Sequence, residues 1–106
     1  MKIQVKFCGM TRQQDVLHAA KLGVDFVGFV LVPGSRRCLT RDALQLLLQA
    51  VPKKVKTVLV VADLELSEIQ RLVADFRPGV IQLHGNEAPG FAAKIRASPP
   101  CTNWRL

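Results

Sequence analysis

The chain has 106 residues, 49% of them hydrophobic and 22% charged, with a formal net charge of +7. That length builds one small domain with a modest core, and the abundant Val, Leu and Ile exclude a disordered chain. The positive charges are scattered, the densest cluster being Lys53-Lys54-Val55-Lys56, and the chain has no Tyr. Its Phe residues are not interleaved with basic ones as a base-stacking platform requires, so no nucleic-acid partner is expected and a small anionic substrate suits the charge better.

In chain order, Ile3 to Cys8 reads as a first strand. It starts almost at Met1, with no apolar core and cleavage site of a secretory leader, so a cytoplasmic protein is expected. Thr11 and Gln14 have the spacing of a capping box, Val16, Leu17, Ala19 and Ala20 supply a helical apolar stripe, and Gly23 stops it. Asp25 to Val32 is nearly continuous in apolar residues, as a buried parallel strand should be. Pro33 to Leu39 is a loop, and Thr40 caps a helix that ends before Pro52.

Val55 to Val61 is a third strand, and Ile69, Leu72, Val73 and Phe76 recur at helical spacing between Ser67 and Phe76. Gly79 to Leu83 is a fourth strand, and Pro89 marks the first turn of a fourth helix. Strand starts near residues 3, 25, 55 and 79 give βα units of roughly 25 residues, the signature of a parallel α/β sheet with right-handed crossovers. Residues 1–97 are therefore read as four βα units. The paired prolines and the missing β-branched run in residues 98–106 lead us to expect an irregular tail. An open flavodoxin-like layer and half of an eight-stranded TIM-type barrel both fit this count.

In either arrangement, chemistry sits on the loops after the carboxyl ends of the strands. Those loops begin at Cys8, Pro33, Ala62 and His84, and each brings polar or reactive groups directly after an apolar strand. A thiol placed like Cys8, before a helix N-terminus and near Arg12, is where a thiolate is stabilised and can act as base or nucleophile; it also suits a small buried apolar position. Cys38 and Cys101 lack that context. No C-x-x-C pair is present and the cysteine count is odd, so neither a disulfide framework nor a zinc site is expected.

Arg36 and Arg37 can clamp a carboxylate or phosphate, or form a solvated charged pair. Gln82 and His84 share a strand face, where His84 can bond a substrate or be structural. Asp63 is an acid candidate whose simpler task is to cap the next helix. No dinucleotide, P-loop or metal-ligand spacing appears, so no cofactor or metal is expected.

Three ordered segments resemble one known family. Val5-Lys6-Phe7-Cys8-Gly9-Met10-Thr11-Arg12 is similar to the opening VKICGITR motif of phosphoribosylanthranilate isomerases. Gly28-Phe29-Val30 with Pro33 to Arg37 resembles the family's second-strand segment, and Val80 to Glu87 resembles its VVQLHGDE. The resemblance implies a TIM-barrel isomerase of tryptophan biosynthesis that performs an Amadori rearrangement on a small phosphorylated substrate without cofactor or metal. It further implies that Cys8 is the general base, that Arg37 meets the anthranilate carboxylate, and that Gln82 and His84 line the mouth.

The chain departs from the family in its loop, which reads Ser35-Arg36-Arg37 where Ser-Pro-Arg is usual, losing a rigid residue and gaining a charge. The resemblance also covers only the first half of the barrel. The aspartate that serves the family as general acid and its glycine-rich phosphate loops have no counterpart here, so this chain alone is expected to be catalytically incomplete. A half barrel leaves its first and fourth strands as open edges. Val5, Phe7, Val27, Phe29, Val58, Val60, Ile81 and Leu83 are typical of strands buried on both faces, so a lone copy is expected to expose apolar surface. A homo-oligomer, or a partner supplying the missing C-terminal half, is expected; the alternative function is a non-catalytic half barrel that self-associates or binds a ligand.

Overall fold

The computed structural model describes residues 5–85 and the backbone of 102–105. It alternates strands β1 (Lys6–Phe7), β2 (Phe26–Val30), β3 (Lys56–Val61), β4 (Val80–Leu83) and β5 (Thr102–Arg105) with helices α1 (Gln13–Lys21), α2 (Arg41–Leu48) and α3 (Leu66–Phe76). The strands form one sheet in sequence order, and every neighbouring pair is parallel. This is the expected α/β arrangement of TIM-barrel type. The fourth helix expected after Pro89, the Asn86-Glu87 pair and Cys101 lie outside the described residues.

The tail reading needs correction. Thr102–Arg105 is a strand parallel to β4, with Val80 opposite Thr102 and Gln82 opposite Trp104. The prolines at 99 and 100 precede this strand in sequence and so do not interrupt its ladder. A segment of 4 residues is too short to announce itself by alternation, and its hydrogen-bonded partner defines it. The edges of the sheet are therefore β1 and β5, not the first and fourth strands.

Alternation along each strand divides the sheet into two faces. Val27, Phe29, Leu59, Val61, Ile81 and Leu83 face outward and join Val16, Leu44, Ile69 and Leu72 of the helices in the main core. On the inner face Phe26, Val58, Val60 and Val80 form a second cluster, with Cys8, Val30 and Val32 packed on it. Val58 and Val60 are buried, contrary to the expected exposure, in this cluster with Phe26 and Val80. The exposed strand apolars are Val5 and Phe7, on the outer side of the edge strand.

Thr40 caps α2 as expected, its Oγ1 accepting from the Ala43 amide at 3.1 Å. Gly23 follows α1 with φ +79°, the left-handed turn that ends a helix. Thr11 is not the N-cap of α1, however. Arg12 takes that position without a side-chain cap, and it bonds Asp15 at 3.1 Å instead. Asp63 does not cap α3 either, since Glu65 is the N-cap. Asp63 sits two residues earlier in the left-handed region, φ 54°.

Candidate functional site

The site is built where β1, β2, β3 and β4 end. Cys8 follows β1, and the next two amides, of Gly9 and Met10, both donate to the Gly28 carbonyl, at 3.0 and 3.2 Å. That bifurcated clasp ties the end of β1 to the middle of β2. Gly28 is also required sterically: a Cβ there would lie 2.9 Å from the Cys8 sulfur and 3.3 Å from the Cys8 Cα. A glycine inside an otherwise apolar strand marks such a close approach. The thiol occupies the space that a side chain on β2 would take.

The loop after β2 folds back onto the same spot. Leu39 donates to the Val30 carbonyl at 2.9 Å, and Cys38 forms a bridge with Val30. Within the loop, the Arg37 amide donates to Ser35 Oγ at 3.2 Å. These bonds direct the Arg37 side chain across Gly9, where a Cβ would stand 2.6 Å from Arg37 Cδ and 2.8 Å from Nη1. Gly9 has φ +79°, so both its backbone and its missing side chain serve this crossing. The structure therefore brings Arg37, not Arg36, against the segment that carries Cys8.

From the other side come Gln82 and His84. His84 is fixed by its amide, which donates to the Val61 carbonyl at 2.8 Å. With Cys8, Val30, Val32, Ser35 and Val60 they line one cleft of about 320 Å³. The cleft thus joins Cys8, Gln82 and His84, with Arg37 beside it rather than in its lining. A larger hollow of about 390 Å³ lies on the outer side, between the β2–α2 loop and α3. It includes the exposed Cys38 and a leucine floor but none of Cys8, Arg37, Gln82 or His84.

Asp63, the acid candidate, turns to another task. A Cβ on Gly85 would lie 2.6 Å from its Oδ1, so its carboxylate packs on the turn after β4. Among the described residues no cluster of His, Cys, Asp and Glu could hold a metal ion, and no helix is long and apolar enough to cross a membrane.

Sequence reasoning gave Lys6 no role. Its ammonium donates to Gln82 Oε1 from the opposite end of the sheet segment, linking β1 to β4. The signal was available in part: Lys6 stands two residues before Cys8 and shares its face.

Parallel βα units whose thiol, amide, imidazole and guanidinium gather at the carboxyl ends of the strands define a TIM-barrel-type protein with its site in the βα loops. The comparisons with known proteins agree. The family described as N-(5'phosphoribosyl)anthranilate (PRA) isomerase matches residues 5–103, and the chain belongs to that family. The N-(5'-phosphoribosyl)anthranilate isomerase of Thermosynechococcus vestitus is 35% identical over 99 residues, which are 93% of this chain and 43% of the relative.

Among solved structures, the phosphoribosyl anthranilate isomerase of Thermus thermophilus is 39% identical with a TM-score of 0.85, over 95% of this chain and 50% of the other. A phosphoribosyl anthranilate isomerase in complex with reduced 1-(o-carboxyphenylamino)-1-deoxyribulose 5-phosphate is 28% identical with a TM-score of 0.88, over 96% and 53%. The chain spans about half the length of the relatives it matches.

Proposed function

We propose that this chain forms the general-base half of a cytoplasmic phosphoribosylanthranilate isomerase of tryptophan biosynthesis. The observation that carries the reading is the Cys8 thiol, seated against Gly28 in the cleft with Arg37 laid across the adjoining Gly9. In the proposed step the Cys8 thiolate takes the proton from the sugar carbon beside the protonated imine of the opened substrate. The C–H electron pair becomes the double bond of an enaminol, and the imine π electrons move to nitrogen. Loss of the hydroxyl proton and protonation of the neighbouring carbon then give the aminoketose. Arg37 holds the anthranilate carboxylate by a charge-assisted contact, and Gln82 and His84 line the sugar. No redox or metal step is needed for this proton traffic.

The ring-opening acid and the phosphate site of this proposal come from a second half barrel. A second copy of the chain offers another Cys8 but neither of those groups, so a homo-oligomer alone is proposed to be inactive. Association is favoured by the exposed Val5 and Phe7 on the β1 edge, and one relative is described as monomers of the dimeric enzyme of Thermotoga maritima. The test is to mix the chain with the remaining βα units of the Thermus thermophilus isomerase and follow product formation. Turnover by the mixture, absent from either part, supports the proposal. A soluble complex without turnover overturns it.

A further inference from the structure

Gln82 is the buried polar side chain among the described residues, 4% exposed, on a face otherwise made of Phe26, Val58, Val60 and Val80. An amide in such a place is oriented by whatever bonds it, because an unpaired polar group in an apolar wall is costly. Here Lys6 Nζ donates to Gln82 Oε1. A lysine ammonium has donors and no acceptor, so the flipped amide would set donor against donor. The chemistry of Lys6 thus fixes which end of Gln82 is held. One lone pair of that oxygen is thereby taken by Lys6, and the amide lies in the wall of the Cys8 cleft.

We propose that Lys6 is a positioning residue that, by holding Gln82 Oε1, turns the Nε2 donor of Gln82 to the Cys8 cleft, directed at an oxygen of a bound phosphosugar. The inference deepens the isomerase reading by assigning Gln82 a polarity and Lys6 a purpose. The donor serves a sugar oxygen that gains electron density when the adjacent carbon loses its proton, as donors aimed at developing charge do. The other polar residues of the lining are occupied or peripheral: Ser35 Oγ accepts from the Arg37 amide, and His84 is exposed at the rim.

The test uses the 106-residue chain labelled with ¹⁵N, the Gln82 side-chain amide being identified by its disappearance in Gln82→Met. Its heteronuclear NOE should be as rigid as the backbone in the wild type and in Lys6→Arg, and should fall to the range of a mobile side chain in Lys6→Met. Titrated ribose, a probe that needs no phosphate site, should shift that amide in the wild type. Its apparent affinity should weaken about three- to tenfold in Lys6→Met, the effect of one hydrogen bond. Where Lys6→Met fails to fold, Gln82→Glu serves instead: it keeps an acceptor for Lys6, loses the donor, and should show the same or a larger loss.

A mobile wild-type amide, an unchanged Lys6→Met, or a Gln82→Glu chain that binds as tightly as wild type would each overturn the inference. So would an amide that ribose does not move. None of these readouts requires turnover, so failure here is distinct from failure of the isomerase reading.

Discussion

The two faces of the sheet are made by the same strands and have opposite characters. Outward, Val27, Phe29, Leu59, Val61, Ile81 and Leu83 interlock with the helices, and every position wants volume. Inward, the corresponding alternate positions include Lys6, Cys8, Gly28 and Gln82, where a hole, a thiol and a bonded pair interrupt the valines. Register alone separates structure from chemistry, since a slip of one residue would exchange the two sets. The inner face thus combines a small apolar cluster with positions that packing alone would not select.

The two faces should differ most sharply in their response to substitution at Cys8. In the barrel completed with a second half, Cys8→Ala should lower turnover by roughly 10²–10⁴, as for loss of a positioned general base, while thermal unfolding of the chain moves little. Unchanged kcat would remove Cys8 from the chemistry. Phe29→Ala, on the opposite face and fully buried, should do the reverse. Denaturant titration should show a loss of about 3–5 kcal/mol from the cavity, with residual folded protein keeping its Cys8 alkylation rate.

Arg37→Ala should raise KM about tenfold or more, consistent with losing a hydrogen bond to a charged group, and should lower kcat less. Arg36→Ala should change both less, because the guanidinium crossing Gly9 belongs to Arg37. Gly28→Ala tests the close packing within the inner face. Its new Cβ must displace the Cys8 sulfur, so a stability loss of about 1–3 kcal/mol should come with altered thiol reactivity. The smallest effect is expected at Arg77, which ends α3 in the left-handed region with φ 47°. Arg77→Gly should stabilise the chain by up to about 1 kcal/mol in denaturant titration and leave the cleft unaffected.

The elements that sequence reasoning placed well are those with dense local signals. Val55 to Val61 is nearly all β-branched and apolar, and the strand occupies Lys56–Val61. Thr40 announces α2 by chemistry confined to one turn. What was missed depends on residues distant in sequence. Lys6 and Gln82 are 76 positions apart, and only the curvature of the sheet turns an ordinary strand lysine into the holder of an amide. Asp63 looked like a cap because caps are local, yet Gly85 leaves a space that claims its carboxylate. Arg37 could be preferred to Arg36 from the family pattern, whereas the physical reason, the missing side chain at Gly9, required the fold. β5 belongs with these long-range features, since β4 defines it.

That fifth strand changes the arithmetic of self-association. Two copies meeting edge to edge would bring ten strands, not eight, to the ring. Ring diameter grows with strand number, and an eight-stranded ring is the size that side chains just fill. A ten-stranded closure would leave a lumen that these short inner residues do not span, and would admit water beside Val58 and Val60. To reach eight, each copy would have to surrender a strand already bonded to β4. A ring of eight that includes this sheet is completed by about three further parallel strands, not by its own image.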